Sequence, residues 1–398
     1  MTIKSPDISQ DQIKPILELF SSGQTQEALD AVGVLIKDYP NDSLLFNISG
    51  ACYAALGQFD AAVKDYEKAI CIKPDYSKAH FNLGCTLQEL GQFYASVKSF
   101  EKALVIEPDY AEAHNNLGIS LKDLRQLDAA VKSFKKATTI KPDYVEAHYS
   151  LGTLLQELGQ LDEAVKSYEA VLVIKPDFAE MHNNLGVILN KLNQNDAALK
   201  SLERAVTIKP DFAEAHNNLG NTLNDLGQLD AAVKSFEKAI TIKPDFADAY
   251  NNLGIALKEL DQLDAAVKSY EKALAIKPDY ADAHNNLGNA LNDLGQLDAA
   301  VKSYEKTLTI KPNYAEAHNN LGITLMELGQ LDEAARSYEI AITIKPDFAE
   351  AYSNRANLLT HLKRFDEALV NYESAIDLKP DIDFVLGNLL HTKMHLCI

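Results

Sequence analysis

Apolar residues recur along this chain with helical spacing, in pairs of faces separated by short polar breaks. In residues 213–246, His216, Leu219, Gly220 and Leu223 stand at i, i+3, i+4 and i+7, which places them on one face of a first helix. Leu229, Ala232, Phe236, Ala239 and Ile240 mark the apolar face of a second. Between them Gly227 is free to take positive φ and end the first helix. Asp230 suits the amino end of the second helix, where the macrodipole is positive. Asp211 and Glu214 have the spacing of a capping box for the first helix. Pro244 closes the second, since the residue before a proline resists the α region. The pattern predicts a helix–turn–helix.

That unit is one of many. Pro40, Pro74, Pro108, Pro142, Pro176, Pro210, Pro244, Pro278, Pro312, Pro346 and Pro380 fall 34 residues apart. Units that begin three residues after a proline number eleven, from 9–42 to 349–382. The octet 315–322 recurs letter for letter at 111–118 and 213–220, and with Asp282 in place of glutamate at 281–288. A period in this range marks a stacked solenoid. One unit cannot bury its faces alone, so neighbours complete a continuous core. Gly220, Ala232 and Ala239 let backbones approach while Leu219, Leu223 and Phe236 fill the space between helices. The predicted fold class is all-α, with residues 1–42 a worn N-terminal capping repeat (Pro15 inside its first helix), ten repeats over 43–382, and a partial helix over 383–398.

Two other units depart from the pattern. Unit 179–212 has Asn193 for the turn glycine, Asn195 where others place Leu or Phe, and Leu202 instead of an aromatic. It is expected to be the weakest seam, exchanging its amide hydrogens faster than its neighbours; uniform protection would refute this. Unit 349–382 carries Arg355-Ala356 in place of Leu-Gly, as a changing interface would.

Composition narrows the function. The 38 basic and 57 acidic residues give −19, which opposes nucleic-acid binding and suits neutral or basic protein partners. Four cysteines without CxxC spacing fit a reducing compartment. The start, Met1 to Asp7, lacks the apolar run of a secretory signal, and no apolar stretch is long enough to span a membrane. The expected location is cytoplasmic.

No phosphate loop, nucleophile elbow or HExxH motif is present, and each possible acid or base recurs in register, so no enzymatic activity and no cofactor are expected of this chain. Histidines 80, 114, 148, 182, 216, 284 and 318 tempt a metal reading. Stacked helices lie about 8–10 Å apart, too far for equivalent residues to share one ion, so packing is expected instead. More informative is the far side of the first helix. Numbering each unit from one, positions 2, 6, 9 and 13 share a stripe. Position 6 is Asn82, Asn116, Asn184, Asn218, Asn252, Asn286, Asn320 and Asn354. Position 2 is Glu112, Glu146, Glu180, Glu214, Asp248, Asp282, Glu316 and Glu350, and position 13 is acidic in most units. An asparagine amide matches both the N–H and the C=O of an extended backbone. Rungs about 10 Å apart meet such a chain at roughly every third residue. The acidic rows would favour basic or neutral peptides. A cationic carboxylate clamp is disfavoured, because position 5 is mostly asparagine.

The small residue after leucine, the aromatic in the second helix, two alanines and a closing proline resemble the tetratricopeptide repeat (TPR). Within that family, Ala-Glu-Ala-x-x-Asn-Leu-Gly followed by Ile-Lys-Pro-Asp-Phe is similar to the N-terminal repeats of bacterial O-linked N-acetylglucosamine transferases and SPINDLY-like glycosyltransferases. The resemblance implies a right-handed superhelix whose first helices line the inside, with the eight asparagines holding substrate polypeptide. Residues 386–397 resemble the segment that joins repeats to the catalytic region in bacterial members, where Cys-Asp-Trp typically follows; here the chain reads Cys397-Ile398. The resemblance thus implies a substrate-recognition array without its catalytic half. The alternatives are a fragment of a full-length glycosyltransferase and a free-standing adaptor for another complex.

Overall fold

The computed structural model describes residues 8–381 and 385–396. The sequence readings at Met1–Asp7 and at Cys397-Ile398 therefore lie outside the described residues. Among those described, 23 helices and no strands are present. From residue 43 onward each unit supplies a first helix of 13 residues and a second of 14, as in Ala213–Asp225 and Leu229–Ile242. The worn first unit also folds as a helix pair, Gln10–Ser21 and Thr25–Asp38, with Pro15 inside the former. A last helix, Val385–Leu396, follows the final pair.

The helix ends obey the sequence with one exception. Pro244 follows a helix that stops at Ile242, and Gly227 takes φ 71°. The capping box does not form. Phe212 is the N-cap and offers no side-chain cap, which puts Glu214 at the second helical residue instead of the third. A carboxylate there still meets the positive end of the helix.

Position 15 of the unit needs the left-handed region in every repeat. Six units from 43 onward meet it with glycine, but Arg125 (φ 59°), Asn193 (57°), Asp261 (60°) and Lys363 (59°) meet it with side chains. Asparagine tolerates this conformation best, so Asn193 is not the costly case. Arg125→Gly, Asp261→Gly and Lys363→Gly are each expected to stabilise the fold by about 0.5–1 kcal/mol, and Asn193→Gly by less. Denaturant midpoints check the ranking.

The core is built from a repeated close approach. The position-24 aromatics Phe236, Tyr270, Tyr304 and Tyr338 are 1% exposed, and the alanines flanking them at Ala232, Ala239, Ala266 and Ala273 are fully buried. Each ring lies over the position-8 glycine of its own first helix. A Cβ added to Gly220, Gly254, Gly288 or Gly322 would stand 2.5–2.7 Å from a ring carbon. These glycines are therefore needed for space and not for backbone freedom.

The chain forms two compact units, Met1–Ile188 and Leu189–Ile398. The division falls inside the helix Ala179–Lys191, the first helix of the repeat expected to be the weakest seam. Leu202 fills the aromatic's place there and is fully buried.

Candidate functional site

The first helix of a typical unit buries positions 1, 3, 5, 7 and 8 and leaves position 6 half-buried. Ala213, Ala215, Asn217, Leu219 and Gly220 are buried while Asn218 is half-exposed. All eight predicted asparagines share this half-exposure.

Their amides join repeats to one another. In residues 189–398, Asn252 Nδ2 donates to Asn217 Oδ1 (3.1 Å), Asn286 to Asn251 (3.0 Å), Asn320 to Asn285 (3.4 Å) and Asn354 to Asn319 (3.0 Å). The acceptor each time is the buried asparagine at position 5 of the preceding unit. That residue's own Nδ2 turns to its chain neighbour, as Asn251 to Asn252 Oδ1 (3.3 Å) and Asn319 to Asn320 Oδ1 (3.4 Å). In residues 1–188 the same wiring appears as Asn82 to Asn47 (3.0 Å), Asn115 to Asn116 (3.2 Å) and Asn183 to Asn184 (3.4 Å). Asn116 instead reaches Cys85 Sγ at 3.3 Å. An amide carries two N–H donors and two acceptor lone pairs. A typical rung thus uses one donor and one acceptor internally and retains one of each. Asn320 is more committed, since it also donates to Asn289 Oδ1 at 3.0 Å.

The acidic row is wired as well. Lys141 Nζ lies 3.1 Å from Glu112, Lys243 3.1 Å from Glu214, Lys345 2.9 Å from Glu316 and Lys379 3.1 Å from Glu350. Each lysine comes from the Ile-Lys-Pro or Leu-Lys-Pro that closes the same unit. Three of these ammonium groups also sit over the next aromatic, 4.8 Å from the rings of Tyr144, Phe246 and Phe348. Glu214's own backbone N–H, with Lys243, holds its carboxyl below the usual range; for Glu316 the Lys345 bond does most. The shorter Asp248 and Asp282 lie beside tyrosines: burial, and then the neighbouring Asp248, raises the Tyr280 hydroxyl, and burial together with the Asp282 charge pushes that of Tyr314 up to about 12. Glu146 and Glu180 are exposed, as are the paired Glu214 and Glu350. These exposed pairs contribute little to stability individually, yet they set a lysine against four of the row's eight carboxylates.

Position 13 pairs across repeats: Lys122 with Glu157 (3.1 Å) and Lys258 with Asp293 (2.8 Å). Burial, and secondly the charge of Glu259, raises Asp225. The histidine row packs as expected and does more. Nε2 of His80, His114, His148, His182, His216, His284 and His318 lies 2.9–3.1 Å from the carbonyl of the proline six residues earlier, tying each first helix to the preceding turn. Burial lowers the pKa of His216 and His318. No group of three potential metal ligands occurs among the described residues.

One rung escaped the sequence reading. Asn388 occupies position 6 of a twelfth register, and its Nδ2 donates to Asn357 Oδ1 at 3.0 Å, as Asn320 does to Asn289. Continuing the 34-residue count past Pro380 would have found it. No helix is long and apolar enough to cross a membrane among the described residues.

Comparison with known proteins agrees with the repeated helix-pair fold. A family model described as TPR repeat matches nine overlapping stretches from 50 to 362, and one described as tetratricopeptide repeat matches 349–382. Among solved structures, the Cut9 and Hcn1 hetero-tetramer of APC/C is similar over 97% of this chain and 96% of that one, at 13% identity and a TM-score of 0.53. YrrB, a TPR protein with an unusual peptide-binding site, is 25% identical over 48% of this chain and 97% of its own, with a TM-score of 0.41. MamA is 29% identical over 42% of this chain and 97% of its own, with a TM-score of 0.39. Repeats of this kind form scaffolds for protein–protein interaction. The chain belongs to the tetratricopeptide repeat family.

Proposed function

We propose that this chain is a non-catalytic scaffold that holds extended polypeptide along its row of position-6 asparagines, as the substrate-recognition array of an O-GlcNAc-transferase-like protein in the cytoplasm. The observation that carries the reading is the amide wiring. Each typical rung is fixed by its neighbours yet keeps one N–H and one lone pair, the two groups a peptide backbone unit offers in reverse. Pre-ordered side chains bind at lower entropic cost than mobile ones. Main-chain contacts make such a row tolerant of ligand sequence. Neutral or basic segments are favoured by the net charge of −19, and less by the position-2 acids, four of which pair with lysines.

The test uses labelled, unstructured peptides and fluorescence anisotropy. Asn218, Asn252, Asn286 and Asn320 changed together to alanine should weaken binding of unrelated peptides by at least about tenfold, since each lost backbone contact is worth about 0.5–1.5 kcal/mol. The control changes Asn217, Asn251, Asn285 and Asn319 to alanine, which breaks three of the same inter-repeat bonds but leaves the half-exposed amides in place. Equal losses in the two variants would show that the row serves the fold alone.

A further inference from the structure

Position 9 lies on the same stripe as the asparagine row, one turn further along the first helix. Through residues 189–398 it alternates: Asn221, Ile255, Asn289, Ile323, Asn357. The structure gives the two residue types different jobs. Asn289 Oδ1 accepts from Tyr304 Oη at 2.8 Å and from Asn320 Nδ2 at 3.0 Å. Asn357 Oδ1 accepts from Tyr372 Oη at 2.7 Å and from Asn388 Nδ2 at 3.0 Å. Two donors fill both lone pairs of each carbonyl. The amide must then present its N–H groups on the opposite side, and both side chains are only half-buried. Phe236 stands where a tyrosine would orient Asn221, so that rung is not fixed in this way.

Between the two oriented amides comes Ile323. It borders two recesses on the first-helix side. One of about 310 Å³ is shared with Asn289, Tyr304 and Asn320 and rimmed by Lys258 and Asp293, and one of about 480 Å³ is shared with Asn319, Ser353 and Asn354 and rimmed by Glu350, Lys379 and Asp381, so that Ile323, itself partly packed on the core, is the apolar member of each. Ile255 is the equivalent apolar rung two units earlier.

We propose that this stretch selects extended polypeptide carrying apolar side chains six residues apart. The inference rests on the peptide-holding reading and adds a preference to it. Rungs about 10 Å apart, against 3.3–3.6 Å per extended residue, place Asn289 and Asn357 roughly three residues either side of the residue over Ile323. The two asparagines donate to ligand carbonyls, which every residue supplies. Ile255 and Ile323 take apolar side chains, which only some residues supply. Selectivity therefore resides in the isoleucines and affinity in the amides.

Anisotropy titrations with three synthetic peptides in a Ser/Thr/Gly background decide it: two leucines six apart, two leucines four apart, and none. The six-apart peptide should bind about tenfold more tightly than the four-apart one, in keeping with the partial burial of one further leucine. Ile255→Ala with Ile323→Ala should bring the six-apart peptide down to the affinity of the four-apart one, and a difference that survives both changes would overturn the inference. Tyr304→Phe, which keeps the ring and frees the Asn289 amide to turn, should weaken all three peptides alike. Equal binding of the six- and four-apart peptides to the unaltered chain would overturn the inference and leave the peptide-holding reading intact. Absence of binding by all three would overturn both. The peptide comparison on the unaltered chain stands even if the double variant fails to fold.

Discussion

Gly288→Leu is expected to destabilise the solenoid by about 3 kcal/mol or more, the upper part of the overpacking range. A first added carbon would already lie 2.6 Å from the Tyr304 ring. That ring is 1% exposed and its hydroxyl is fastened to Asn289, so it has no free direction in which to retreat. Gly288→Ala should cost far less. Ala356 holds the same position against Tyr372 in unit 349–382, with both side chains buried and the tyrosine still bonded to Asn357. Alanine also gains about 1 kcal/mol in helix propensity over glycine, which offsets part of the clash. Urea denaturation of the two variants checks the contrast. If leucine and alanine cost the same, the glycine–ring approach is not what sets the spacing between the two helices.

The second large effect runs against intuition. Changing the half-exposed Asn252, Asn286 and Asn320 to alanine should destabilise the chain more than changing the buried Asn217, Asn251 and Asn285. Removing the half-exposed set leaves three buried carbonyls without the donor they had, at about 1–3 kcal/mol for each orphaned group. Removal of the buried set takes away those carbonyls themselves, and the surviving amides can turn to water. A difference of several kcal/mol between the two triple variants is expected from their denaturant midpoints. The reverse order would show that burial of the position-5 amides, and not their pairing, dominates.

The fold was legible because its determinants are local and repeated. Leucine and glycine in the first helix, the aromatic and alanines in the second, and the closing proline each act through spacing within one unit. Reading a solenoid requires little else. The asparagine row was legible as a stripe for the same reason. Its wiring was not, because Asn252 meets Asn217 only through the stacking of separate units, 35 residues apart. Position 5 reads in the sequence mostly as asparagine where a carboxylate clamp would need a cation, and nothing within one unit marks it as an acceptor. The pairing of Glu214 with Lys243, 29 residues on, was hidden likewise. The turn at position 15 illustrates a different limit. Glycine at Gly227 announces positive φ, whereas Arg125, Asp261 and Lys363 adopt it silently, since the surrounding helices impose a geometry the residue itself resists.

The asparagine wiring also has a sense of travel. In residues 189–398 every inter-unit bond of the row runs one way, with the later unit donating and the earlier one accepting, from Asn354 to Asn319, Asn320 to Asn285, Asn286 to Asn251 and Asn252 to Asn217. The dipoles of these amides therefore add along the stack as peptide dipoles do along a helix. A polypeptide is itself vectorial, with its carbonyls and N–H groups in fixed order. Laid along this face in opposite orientations, the same segment meets unequal partners. On the peptide-holding reading proposed above, one orientation of a bound segment would therefore be preferred over the other.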